Sequence, residues 1–279
     1  MLSRAGNLPA ALLLGEGVYT SFRWPLPPAT LEAHLARLTH DAAAIGIELT
    51  TNAEALATDL HAALADETLP IGIRLTVVPD VTDAGVLLAP TQQPLPGLLL
   101  LSTRPASALS ATPDPFSGPR LMSVLADRPH AGIKHLGLGP TLHYRRQAHA
   151  AGFEDILWIN SPPLPLRERG PGGEGFISEA GTANIFFLKN NTLYTPDPER
   201  DGCLPGITRA QLIDHAQLLG IAVRTEPVSL AEALAADGAL LTNAIRGVHP
   251  VRGLDDVLYP WPTAAVETLH ALATLNNTL

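Results

Sequence analysis

Along residues 15–24 (GEGVYTSFRW) a glycine turn is followed by alternating positions, the period of a β-strand. Tyr19, Ser21 and Arg23 share one face of this predicted strand, and Val18, Thr20 and Phe22 share the other. Pro25, Pro27 and Pro28 stop it. Thr30 is placed to cap a helix whose apolar stripe runs through Leu31, Leu35, Leu38, Ala42 and Ile45, with His34 and Arg37 about one turn apart. The pattern predicts a second helix over 52–65 and buried strands at 71–78 and 98–102. Residues 104–119 are proline-rich and aperiodic, as a linker would be. Beyond them the pattern predicts a strand at 120–126, a helix over 140–151 and strands at 153–159, 176–178 and 184–188. An amphipathic helix at 208–219, a capping box at Ser229–Glu232, a strand at 238–242 and a helix at 263–275 complete the chain. Residues 161–175, rich in Pro, Gly and charge, read as a surface insertion.

Strands and helices mix without strict alternation, which predicts an α+β fold in two domains. The boundaries read as residues 1–105, a linker at 106–119, and 120–279.

Composition narrows the function. The 279 residues are 46% hydrophobic and 16% charged, enough apolar material for a core and too little charge for wholesale disorder. A net charge of −9 with 5% aromatics argues against a nucleic-acid partner. No apolar run reaches the ~18 residues of a membrane-spanning helix. Cys203 is the only cysteine, so no intramolecular disulfide can form, and a reducing, cytoplasmic setting is expected. Of 18 basic residues 16 are arginine, so chemistry that needs a lysine amine has two candidates, Lys134 and Lys189.

Lys134 stands among apolar residues and glycines (AGIKHL). Loss of water there would favour the neutral, nucleophilic amine, although a lysine snorkelling at a domain edge has the same surroundings. Lys189, in a Lys-Asn-Asn turn, reads as solvated. Glu179, beside small residues and feeding the strand Asn184-Ile185-Phe186, is either a carboxylate for a protonated ring nitrogen or an exposed loop acid. Leu204-Pro205-Gly206-Ile207-Thr208 opens a helix, and free N–H groups at such a start suit a phosphate when they are not simply hydrated. The turn at Asn243-Ala244 is small enough for backbone to approach an anion. Phosphate-loop, nucleophile-elbow and H-E-x-x-H patterns are absent, and the histidine spacings are weak for a metal.

In their order these motifs resemble the fold type IV pyridoxal-phosphate enzymes, the class IV aminotransferases. The likeness runs from about Leu14 to Val251, through Gly15-Glu16-Gly17-Val18-Tyr19, His34-Leu35-Ala36-Arg37-Leu38, Ile133-Lys134, Ser178-Glu179, Leu204–Thr208 and Gly247–Val251. The resemblance implies a smaller N-terminal α/β domain, a larger barrel-like C-terminal domain, a site between them, a homodimer and pyridoxal 5'-phosphate as cofactor. It implies that Lys134 attaches the cofactor and moves the substrate proton, and that Glu179 meets the pyridine nitrogen. Arg37, Ile207, Thr208, Asn243 and Ala244 would hold the phosphate. Tyr19, Ser21 and Arg23 would point into the site, Ser21 aiding protonation of a departing oxygen, with Arg23 or Arg246 on a substrate carboxylate.

Within the family, Tyr19-Thr20-Ser21, the Asn243-Ala244 pair and Gly139, where aminotransferases often carry Tyr, resemble the 4-amino-4-deoxychorismate lyases. The resemblance thus implies a lyase of folate synthesis acting on a small molecule, with an aminotransferase of branched-chain or D-amino acids as the alternative.

Overall fold

The structure is a computed structural model that describes residues 10–67, 69–81, 93–128, 130–160 and 175–279. The insertion read at 161–175 lies outside the described residues except for Gly175. The chain divides into two units: Met1–Ala108 with Ile133–Leu138, and Leu109–Gly132 with Gly139–Leu279. The stretch 106–119 divides between them at Ala108 and Leu109.

The first unit contains α1 (Ala10–Leu14), β1 (Val18–Trp24), α2 (Pro28–Ala44), β2 (Ile47–Glu48), α3 (Ala53–Ala63), β3 (Ile71–Pro79) and β4 (Leu95–Pro105). Its sheet has the order β1-β3-β4-β2, with β1, β3 and β4 antiparallel in sequence and β2 parallel to β4. Helix α2 begins earlier than the Thr30 cap predicts. Pro27 is the N-cap and Pro28 takes the first helical position, where a missing N–H costs nothing; Thr30 donates its amide to Pro27 O.

Alternation gives this sheet two unlike faces. Val18, Phe22, Ile71, Ile73, Leu75 and Val77 are buried. Ring contacts of Phe22 with His34 and of Trp24 with His61 place α2 and α3 against that apolar side. In register on the other side stand Tyr19 by Thr76 and Leu100, Ser21 by Arg74 and Ser102, and Arg23 by Gly72 and Arg104.

The free edge of β1 is covered by the Ile133–Leu138 segment. Tyr19 N–H donates to Lys134 O at 2.9 Å, Leu136 N–H to Gly17 O at 2.9 Å, and Val18 bridges His135. Gly17 makes this approach possible. Its φ is +143°, and a Cβ there would press on Val77 O and the Leu136 side chain.

The second unit contains β5 (Arg120–Leu125), α4 (Gly139–Ala150), β6 (Asp155–Asn160), β7 (Phe176–Ala180), β8 (Asn184–Lys189), β9 (Thr192–Thr195), α5 (Pro198–Asp201) and α6 (Ile207–Leu218). There follow β10 (Ala222–Thr225), α7 (Leu230–Leu234), β11 (Gly238–Asn243), β12 (Gly247–Val251), β13 (Gly253–Leu254), β14 (Val257–Leu258) and α8 (Thr263–Ala273). Two five-stranded sheets result, β10-β9-β8-β11-β12 and β14-β13-β5-β6-β7. The chain crosses from one to the other at the β7–β8 corner, closed by Ala180 N–H to Ala183 O. Their apolar faces, with α6 and α8, share one core in which Leu121, Leu157, Phe186, Leu212, Leu240 and Leu269 are fully buried. Each such side chain contributes about 1.5–3 kcal/mol. Helix α4 covers the outer side of the β5–β6 sheet, where Ala148 packs with Val124, Ile156 and Trp158.

The capping box at Ser229 forms as the sequence predicts, its hydroxyl and Glu232 exchanging bonds with each other's backbone. Lys189 is less solvated than its turn suggests, since it donates to Ala235 O and meets Asp237 at 3.1 Å. No described helix is long and apolar enough to cross a membrane.

Candidate active site

In the first unit the predicted residues gather at the β1 edge. Lys134 is fixed through its backbone, its carbonyl on Tyr19 and its N–H donating to Asp41 Oδ2 at 3.1 Å. Asp41 is itself a buried residue of α2. The Lys134 amine lies 4.9 Å from the centroid of the Tyr19 ring, and the Arg74 guanidinium lies 3.6 Å from the same centroid. Both are cation–π distances.

Arg37 approaches from the helix side. It donates Nη2 to Thr20 Oγ1 at 3.0 Å, and the same hydroxyl meets His34 Nδ1 at 2.7 Å. His34 has its pKa lowered to about 3, by burial first and then by the like charges of Arg37 and Lys134. A neutral imidazole therefore orients Thr20, and Thr20 orients Arg37. Ser21 and Arg23 share the Tyr19 face. Arg23 is buried and donates Nη1 to Ser107 O at 2.8 Å.

In the second unit the predicted residues gather around Asn184. Glu179 is buried on β7. Its Oε2 accepts from Leu204 N–H at 3.0 Å and from Asn184 Nδ2 at 3.2 Å. Its Oε1 lies 2.6 Å from Arg128 Nη1, a charge contact off the line of a hydrogen bond. Glu179 is thus a carboxyl group set amid donors.

Asn184 Nδ2 also donates to Leu204 O at 2.8 Å. It thereby ties Glu179 to the loop that opens α6, where Gly206 is the N-cap with no side-chain cap. Any Cβ on Gly206 would overlap Asn184 Oδ1. The Ile207 and Thr208 N–H groups head the helix, with no acceptor among the described residues. Asn243 Oδ1 accepts from Ile245 N–H at 3.0 Å and Arg246 N–H at 2.8 Å, shaping the turn and leaving the Ala244 N–H without an acceptor among the described residues. Thr242 pairs across the sheet with Asn184, and its buried hydroxyl has no partner among the described residues. Arg246 is exposed.

Several contributors escape a reading of the sequence: Arg128, Asp41, Thr20, Arg74 and the bridging role of Asn184. Cys203 is buried, and burial together with the Glu179 charge pushes its thiol pKa up to about 12, the opposite of what a thiolate nucleophile needs.

The amino-transferase class IV family pattern matches residues 17–254. The chain belongs to the class IV aminotransferases. An aminodeoxychorismate lyase of Bacillus subtilis is 26% identical over 88% of this chain and 80% of its own length. A protein of Rickettsia typhi named as a branched-chain-amino-acid aminotransferase is 34% identical over 40% of this chain. The match spans about a third (34%) of that relative's length. Among solved structures, one named as a 4-amino-4-deoxychorismate lyase, from Legionella pneumophila, is similar with a TM-score of 0.77 and 25% identity, covering 99% of this chain and 96% of its own. The branched-chain amino acid aminotransferase of Escherichia coli has a TM-score of 0.75 at 20% identity, over 96% of this chain and 86% of its own, and shares the fold.

The fold is thus the type IV, α+β fold implied by the motifs, and the family's cofactor is pyridoxal 5'-phosphate. The residues present fit that group. The donors around Glu179 suit a carboxylate that accepts from a pyridinium. The bare N–H groups of α6 and the orphaned Thr242 hydroxyl suit a phosphate, and Lys134 offers a primary amine.

Proposed function

We propose that the protein is a pyridoxal-phosphate-dependent 4-amino-4-deoxychorismate lyase that releases 4-aminobenzoate and pyruvate. The observation that carries this reading is the reach of the Bacillus subtilis relative, 88% of the chain, against the short stretches shared with named aminotransferases. The chain's own residues agree: the stretch Tyr19-Thr20-Ser21 on β1 and the pair Asn243-Ala244 at the end of β11 are lyase-like.

Bound pyridoxal phosphate supplies an electron sink for a carbanion at the amine-bearing carbon. Lys134 would supply the amine that holds the cofactor, and its Nζ would take the proton from that carbon. Tyr19 lies against Lys134 and limits where the amine can swing. Glu179, held by Asn184, Leu204 N–H and Arg128, accepts from the ring nitrogen. Arg37, aimed by Thr20, and the N–H groups of Ile207, Thr208 and Ala244 hold the phosphate. Ser21 protonates the departing oxygen, and Arg23 or Arg246 meets a substrate carboxylate. In balance, the ring loses one proton to Lys134 and loses its enolpyruvyl group, and so becomes aromatic. The departing enol, protonated once at oxygen by Ser21, becomes pyruvate by gaining a proton at carbon and losing the one at oxygen, and the proton held by Lys134 restores Ser21. The enzyme acts as a cytoplasmic homodimer in folate synthesis.

The 34% identity with the Rickettsia relative supports the second reading, an aminotransferase. A coupled assay separates the two. Chorismate, glutamine, aminodeoxychorismate synthase and pyridoxal phosphate are supplied, and 4-aminobenzoate fluorescence is followed. Product that depends on this protein and disappears with Lys134→Ala is expected. No product from protein that keeps the cofactor's visible absorption overturns the lyase reading in favour of amino-acid and keto-acid pairs.

A further inference from the structure

Three arginines stand on one face of the first unit's sheet. Arg23 and Arg104 lie opposite Gly72 on the two sides of β3, and Arg74 is the next residue of β3 on that face. Like charges so close on a sheet destabilise it. Among the described residues no carboxylate makes an ion pair with Arg74 or Arg104. Burial lowers the pKa of Arg74, Tyr19 offsets this, and the charge of Arg104 lowers it again, so the two guanidiniums act on each other.

Gly72 shows that the convergence is built. Glycine inside a strand weakens it and marks a close approach. Here the approach is Arg104 itself: a Cβ on Gly72 would meet Arg104 Cγ at 3.1 Å and Nε at 3.3 Å. The Arg104 side chain therefore lies across β3. Arg74 is bound in turn to Tyr19, the ring against which the Lys134 amine rests.

We propose that Arg104, laid over Gly72 beside Arg74, is a specificity-determining residue that seats a second carboxylate of the substrate. The enzyme then selects amines that carry two carboxylates over amines with one carboxylate and an apolar side chain. This deepens the lyase reading, since aminodeoxychorismate is such a molecule, and it rests on Lys134 being the reacting amine.

The test is calorimetric binding to the cofactor-loaded enzyme. Chorismate carries two carboxylates and no amine, glutarate is a flexible dicarboxylate, and benzoate has one carboxylate. Both dicarboxylates are expected to bind more tightly than benzoate. Arg104→Gln is expected to weaken them by roughly 10- to 100-fold, the loss of a charge-assisted pair, while benzoate changes far less. Arg104→Lys should restore part of the difference. Gly72→Val should mimic Arg104→Gln with Arg104 still present. Arg104 is exposed, so Arg104→Gln keeps the test open should Gly72→Val fail to fold. Equal changes for all three probes, or none, overturn the proposal. Arg104-dependent binding of glutarate without chorismate binding upholds the carboxylate seat and sinks the lyase reading. Product in the coupled assay without any dicarboxylate preference does the reverse.

Discussion

The surroundings of Glu179 and of Lys134 are opposites. Both oxygens of Glu179 already meet a guanidinium, an amide or a backbone N–H, so that region is neutralised before any ligand arrives. Around Lys134 stand two charges of its own sign, Arg74 across Tyr19 and Arg37 beyond Thr20 and His34. The nearby Asp41 carboxylate is engaged with the Lys134 backbone. A satisfied seat adds to the stability of its fold. A convergence of cations costs stability until anions bind.

The largest expected effect falls on the lysine side. Lys134→Ala should cut turnover by roughly 10⁴-fold or more and remove the cofactor's yellow absorption, while the melting temperature holds or rises. Turnover close to the parent enzyme would dissolve the contrast. Next comes the carboxylate side. Arg128→Gln leaves the buried Glu179 without its counter-charge and should cost about 3 kcal/mol in a urea titration. A stability unchanged by that substitution would show that the two surroundings do not differ as described.

Acid should act on both units with one sign. His34 in the first has a pKa of about 3 and His249 in the second about 4, each against an ordinary 6.5 and each lowered chiefly by burial. The unfolded chain takes up these protons near pH 6.5 and the folded chain only below 4. Stability is therefore full above pH 6.5 and falls as the pH drops through that window, by up to about 1.4 kcal/mol per pH unit for each histidine. His34→Gln should flatten the slope below pH 6, and an unchanged slope would remove His34 from the account. The smallest effect is expected from Gly206→Ala. Its methyl must push Asn184 aside, at about 1–3 kcal/mol. It should also raise the cofactor concentration needed for half-saturation, since Asn184 ties the carboxylate seat to the start of α6. Saturation at the parent concentration would limit Asn184 to a packing role.

Much of this was legible in the sequence where the signal was local. The alternation of β1, the stripe of α2, the Ser229 capping box and the glycine at the head of α6 all act within a few residues. The missed parts depend on distant partners. Arg128 carries no local sign of its role, because its partner is 51 residues away on β7. The short strand β10 pairs in parallel with β9 through a crossover that holds α6, so β10 shows no hairpin pattern of its own. The Thr30 cap was displaced by the conformational preference of Pro28. Lys134, flanked in sequence by the second unit, groups with the first because its backbone completes the β1 edge, a pairing with residues over a hundred positions earlier.

That pairing has a consequence for solubility. A bare outer strand with Val18, Phe22 and Trp24 on one side would be a template for another chain's backbone, and so a seed for aggregation. Residues 133–138 occupy part of that template, so Lys134 sits in the stretch that shields the sheet from its own copies. Preparations in which this stretch is cut or loosened should lose monodispersity along with colour.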